Sequence, residues 1–171
     1  MTAARLLIAG IGNIFLGDDA FGVVVVDQLK HHPCPAGVEV RDFGIRGFDL
    51  ACALQESHEA VILVDAVRRG GPPGTLYVVE PAADPGPEAV AAPNLAMHSL
   101  DPVQVLALVR QMGGSLPYLL LVGCEPLTLE PAEDGITLSE AVRAAVEPAA
   151  KLVWALAAEL LARTPEQEAC R

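Results

Sequence analysis

Leu6-Leu7-Ile8-Ala9-Gly10-Ile11-Gly12-Asn13-Ile14-Phe15-Leu16-Gly17-Asp18-Asp19 is the stretch on which the fold turns. Residues 6–9 form an unbroken apolar run, closed by Gly10-Ile11-Gly12-Asn13, which predicts a buried strand and a tight turn. Asp18 and Asp19 stand just before residues 21–29, where either can cap a helix. Four consecutive valines at 23–26 oppose a helix because β-branched side chains are stiff there. The capping signal and the length of the segment favour one.

The same alternation continues along the chain. Residues 38–42 read as a second strand, followed by a loop holding Gly44 and Gly47 and a short helix over 48–56. Residues 60–64 form a fully apolar third strand ending in Asp65, and 75–79 a fourth. The Pro/Ala/Asp-rich stretch 81–93 lacks periodicity and reads as a loop. Asp101-Pro102 opens a helix that stops at Gly113-Gly114, with Asp as the cap and Pro at the first helical position. A fifth strand over 118–122 leads to Gly123-Cys124-Glu125-Pro126. Thr137 and Glu140 have the spacing of a capping box for a last helix to about 163, which Pro148 is expected to kink or divide.

Strands alternating with helices predict an α/β fold: three layers, a mostly parallel twisted sheet of about five strands, helices on both faces. The chain has 171 residues, 52% of them apolar and 19% charged, enough for one domain with a sizeable core. That domain is expected over 1–163, with 164–171 a disordered tail. Few aromatics and many Val, Leu and Ala suit a sheet buried on both faces.

Eleven basic against 22 acidic residues give a net charge of −11. Such a chain repels a phosphate backbone and an anionic membrane surface, so neither nucleic acid nor membrane is an expected partner. No apolar run reaches the ~20 residues of a spanning helix. Met-Thr-Ala-Ala-Arg leads straight into the first strand, so no signal peptide is expected and the protein is read as cytoplasmic. Cys34, Cys52, Cys124 and Cys170 lack metal-finger spacing and read as ordinary thiols in or near the core.

In such sheets ligands lie outside the carboxyl ends of the strands, so polar residues just after strands share one edge. Four segments qualify: 13–19, 42–47, Asp65 and Cys124-Glu125. His98 precedes the Asp101 helix and can fold over the same edge. Asp19, Asp65 and His98 then offer an O,O,N donor set for a borderline divalent ion such as Ni²⁺ or Zn²⁺, with coordination positions left open. Each also has a plainer role: Asp18 or Asp19 as a cap, Asp65 as an acceptor for the 68–71 loop, His98 as a loop histidine. Adjacent helical residues point about 100° apart, so Asp18 and Asp19 do not both enter one pocket.

Other chemistries fit less well. Gly10-Ile11-Gly12 would place the third glycine of a dinucleotide fingerprint at Phe15. Cys124 with His98 could pair as nucleophile and base, but Glu125 beside it raises the thiol pKa. No Gly-x-Ser-x-Gly or His-Glu-x-x-His motif occurs.

Residues 10–22, from Gly10-Ile11-Gly12-Asn13 through Asp18-Asp19 to Gly22, resemble the opening signature of hydrogenase maturation endopeptidases. Val61-Ile62-Leu63-Val64-Asp65-Ala66, Met97-His98-Ser99-Leu100 and Gly123-Cys124-Glu125-Pro126 are similar to later elements of that family, in the same order, so the resemblance spans roughly 5–160. It implies a peptidase that removes the C-terminal extension of a [NiFe] hydrogenase large subunit after nickel insertion, with the precursor subunit as partner. Nickel would arrive with the substrate and be contacted by Asp19, Asp65 and His98; zinc or cadmium would serve as a surrogate. Asp19 or Asp65 would be the general base of an aspartic-type reaction, unless the metal activates the water itself. Asn13, Gly44 and Arg46 would contact the substrate, Arg46 by pairing with a carboxylate. Two departures stand out: Ala20 where many members have glycine, and Asp42-Phe43-Gly44-Ile45-Arg46-Gly47 where many have Asp-Gly-Gly-Thr-x-Gly. The rival readings are a non-enzymatic nickel-checking chaperone and a peptidyl-tRNA hydrolase, whose first strand also ends in Gly-x-Gly-Asn but which needs a basic face.

Overall fold

A computed structural model describes residues 5–81, 102–131 and 137–163. Five strands form one sheet: β1 Leu6–Ile11, β2 Val38–Gly44, β3 Ala60–Ala66, β4 Leu76–Val79 and β5 Tyr118–Cys124, in the order β2-β1-β3-β5-β4. β1 pairs in parallel with β2 and β3, and β3 with β5; only β4 runs antiparallel, at the edge beside β5. Among the described residues four α-helices accompany them: α1 Phe21–Lys30, α2 Gly47–Ala53, α3 Pro102–Gln111 and α4 Glu140–Ala162. The expected α/β architecture is the one observed.

The two-residue period of the strands divides the core in two. Leu6, Ile8, Ile62, Val64, Leu120 and Val122 face α1 and α4. Leu7, Ala9, Val61, Leu63, Leu119 and Leu121 face α2 and α3. Because both faces are covered, the central strands carry no polar alternation, which is why they read as plain apolar runs. β1 is buried along its whole length.

Chain order reverses in this sheet. From β1 the chain moves outward to β2 and then returns past β1 to β3. Right-handed crossovers therefore put α1 and α2 on opposite faces and open a switch point between the carboxyl ends of β1 and β3. α1 sits hard against that point. A Cβ on Gly22 would stand 2.0 Å from the Val64 carbonyl oxygen and 2.3 Å from that of Ile11.

Neither acid caps α1. Residues Gly17–Ala20 form a 3₁₀ turn ahead of it, and no side chain hydrogen-bonds at the α1 N-cap. Asp18 turns inward instead and is fully buried. Its carboxylate accepts the Leu127, Thr128 and Ser139 amides at 2.8, 3.1 and 2.6 Å, and the Ser139 hydroxyl at 2.9 Å. These bonds also overturn the capping box expected at Thr137: α4 begins at Glu140 with Ser139 as N-cap, and Ser139 is committed to Asp18. Pro148 does not divide α4, which runs unbroken for 23 residues. The ring lies on the exposed face, and buried Val142, Val146, Ala149 and Val153 hold both halves to the sheet. The Asp101 cap, most of the 81–93 loop and the tail 164–171 lie outside the described residues.

Gly22→Ala should lower unfolding free energy by at least about 3 kcal/mol, the upper end for overpacking, because backbone rather than flexible side chain is struck. Asp18→Ala should cost a comparable ~3 kcal/mol by removing the acceptor shared by three part-buried amides and the Ser139 hydroxyl. Urea unfolding followed by circular dichroism measures both.

Candidate functional site

The segment from β1 to the 3₁₀ turn is locked by close backbone approach. Gly12 has φ 137°, and a Cβ there would lie 1.8 Å from the Asp19 carbonyl oxygen, so only glycine fits. Its amide donates to the Gly44 carbonyl at 3.0 Å, tying the ends of β1 and β2 together. The next amide, of Asn13, donates to Asp19 Oδ2 at 2.7 Å, and Asn13 Oδ1 accepts the Phe15 amide at 3.0 Å. Asp19 is thereby aimed at the β1 terminus while Asp18 points to the 127–139 segment. The two adjacent acids diverge as their spacing required.

Asp19 is 7% exposed. Burial pushes its pKa above the usual carboxylate range, and the Asn13 amide offsets this in part. Asp65 is 6% exposed and lies near the end of β3, in register with Gly123 of β5. Its Oδ1 accepts the Ala66 amide at 2.8 Å. The 3₁₀ turn that carries Asp19 packs against β3, which carries Asp65. Asp19, on the turn that follows β1, and Asp65, at the end of β3, thus stand in the segments that flank the switch point. His98 lies outside the described residues.

The 68–71 loop is not held by Asp65. Glu125 does that: its carboxylate accepts the Arg69 amide at 2.8 Å, the Gly70 amide at 3.2 Å and the Tyr77 hydroxyl at 2.9 Å. The Arg69 amide above all, opposed by burial, holds the Glu125 carboxyl below its ordinary pKa. The sequence carried a signal for this, an acid ending an apolar strand as Asp65 does, but could not tell anchor from site.

In the 42–47 loop, Asp42 Oδ1 accepts the Gly44 amide at 2.8 Å and shapes a turn in which Gly44 takes φ 52°. Arg46 is pinned to its own loop: its guanidinium donates to the carbonyls of Phe43 and Asp42 and lies 3.7 Å from Asp49. It remains more than half exposed, so its outward edge is open to a partner. Asn13, Gly44 and Arg46 line one groove with Phe15, Phe43 and Ile45.

At the amino end of the sheet, Glu39, Glu56 and His58 present ligand atoms within 4.8 Å of one another. Arg41 bonds both oxygens of each carboxylate, so both acids already have a cationic partner within the fold. This group is a structural ion-pair network.

Cys124 is fully buried and its thiol is pushed up to about 12, first by burial, then by Asp18 and Glu125. No nucleophile is available there at neutral pH. Cys34 and Cys52 are exposed rather than in the core, so the expectation for the thiols holds for Cys124 and fails for these two; Cys170 lies outside the described residues. Iodoacetamide at pH 8 should label Cys34 and Cys52 in the native protein and spare Cys124, as peptide mass mapping would show. Cys124→Ala should keep its peptidase activity.

Comparison with known proteins bears on the family and the fold. The sequence model of the hydrogenase maturation protease family matches residues 23–156. The hydrogenase expression/formation protein HoxM of Azotobacter vinelandii is 38% identical over 160 residues, covering 93% of this chain and 75% of that protein. The hydrogenase 2 maturation protease of Escherichia coli is 33% identical, covering 88% and 89%. Among solved structures, the hydrogenase maturating endopeptidase HybD of E. coli superposes with a TM-score of 0.70 at 33% identity, covering 91% and 93%. The hydrogenase 2 maturation peptidase of a Thaumarchaeota archaeon gives 0.67 at 34%, covering 90% and 98%. With this sheet order, two buried acids at the switch point and these relatives, the chain belongs to the hydrogenase maturation protease family.

Proposed function

We propose that this peptidase removes the C-terminal extension of a [NiFe] hydrogenase large-subunit precursor once nickel has been inserted. Asp19, Asp65 and His98 contact the nickel that the substrate carries. The observation that carries this reading is the pair of buried carboxylates on either side of the β1/β3 switch point. A desolvated carboxylate with few donors gains most from an arriving cation, and the raised pKa of Asp19 marks it as such a group. Two oxygens and an imidazole also suit nickel as a borderline ion, and zinc or cadmium as stand-ins.

Nickel bound between precursor and peptidase would report that the subunit is loaded, and would polarise the scissile carbonyl or a water beside it. Asp19, whose pKa lies above that of an ordinary carboxylate, is the better placed of the two acids to take a proton from that water, as in an aspartic-type peptidase. Asn13, Gly44 and the open edge of Arg46 receive the substrate chain. The net charge of −11 disfavours nucleic acid, and no helix among the described residues is long and apolar enough to cross a membrane. Together these fit action on a precursor in the cytoplasm. Membership of a protease family leaves the chaperone and peptidyl-tRNA hydrolase readings without support.

Purified chain mixed with nickel-loaded precursor should shorten it, as read by intact mass, and should leave nickel-free precursor whole. Asp19→Ala, Asp65→Ala and His98→Ala should melt cooperatively yet process at least about 100-fold more slowly, the scale of a lost acid–base or metal contact. Normal trimming by all three variants would refute the assignment.

A further inference from the structure

Large apolar side chains are exposed around one end of the molecule. Phe15, on the turn after β1, is 66% exposed, and Ile45, on the turn after β2, is 57% exposed. Phe48, at the start of α2, is exposed with them. Phe15 and Ile45 line a groove of about 250 Å³ with Val23, Phe43 and Asn13. That is below the ~300 Å³ at which pockets for drug-sized ligands begin, and suits one or two side chains.

Two observations say what fills it. The groove is continuous with the site described above, since Asn13 lines it and the Asn13 amide holds Asp19. It also lies at the carboxyl end of β2, which among the described residues pairs with β1 alone and is half-exposed except at Phe43. An edge strand favours a partner in extended conformation, whose backbone it can pair with while alternate side chains drop into pockets. We infer that the groove between Phe15 and Ile45 seats a bulky apolar side chain of the precursor segment next to the scissile bond, bound as an extended peptide. This rests on the peptidase reading above and adds to it the residues that select the substrate by apolar burial.

Burial of one large side chain is worth a factor of about ten or more in binding, so the groove should act on KM. Phe15→Asp and Ile45→Asp should raise KM for nickel-loaded precursor about ten-fold or more with kcat little changed, and Phe15→Leu should restore most of the loss. Met112→Asp is the control. Met112 is also an exposed apolar residue, but it follows α3 ahead of β5, at the opposite end of the sheet, and its replacement should leave KM unmoved. A benzophenone amino acid at position 15 should crosslink on illumination to the precursor's C-terminal segment, mapped by mass spectrometry. Crosslinking without trimming would uphold the groove and overturn the peptidase reading. Trimming by Phe15→Asp and Ile45→Asp with unchanged KM would overturn the groove and leave the peptidase reading standing. If Ile45→Asp instead converted a dimer to a monomer in sedimentation with KM unchanged, the surface would serve self-association and the inference would fall.

Discussion

A carboxylate removed from water costs several kcal/mol unless donors surround it, and this fold places two such groups side by side in sequence. Asp18 receives four donors from a segment more than a hundred residues away. Asp19 is held by the Asn13 amide, and its pKa is raised by burial. The contrast separates their work. The saturated acid fastens the turn to the segment leading into α4; the neighbour it fixes in place is left with capacity for a cation or a proton. Crowding at Gly12 and Gly22 makes this possible, because it lets the turn and α1 lie directly on the strand ends.

The other side of the switch point has its own anchor. Beyond Asp65 the chain leaves the sheet, and its return to β4 is fastened by backbone and side chain alike. The Val67 amide donates to the Cys124 carbonyl and the Gly74 amide to the Glu125 carbonyl, while the Glu125 carboxylate gathers the amides between. One rigid support thus stands behind each candidate site acid. Sites assembled this way hold their geometry because the supporting shell is as constrained as the functional groups.

The sequence made the sheet legible where packing is strongest. β1, β3 and β5 are apolar along their length except at Asp65 because both faces are buried, and their positions followed from that alone. Asp65 was legible for the same reason, since an acid closing a buried apolar strand is conspicuous. Local capping rules failed at both α1 and α4. Asp18 was a capping candidate by type, but its carboxylate takes the Ser139 amide instead, a pairing across 121 residues that no local window contains. Glu125 matched the pattern of a site residue and proved an anchor, because the pattern reports a buried acid and not what it binds. Of the two outcomes expected at Pro148, division of the helix does not occur, and packing along the whole of α4 holds it together.

The order of the sheet has a consequence for how the protein is made. Of the five strands β1 leaves the ribosome first; it is among the most apolar, and it belongs between β2 and β3. Until residue 66 has been synthesised it lacks one of the two neighbours that sandwich it. Parallel pairing also demands a complete crossover before any strand contact forms. During translation a sticky, unpaired segment must therefore wait, which exposes the nascent chain to misassociation. Slowing elongation just after β3 would give that core time to close.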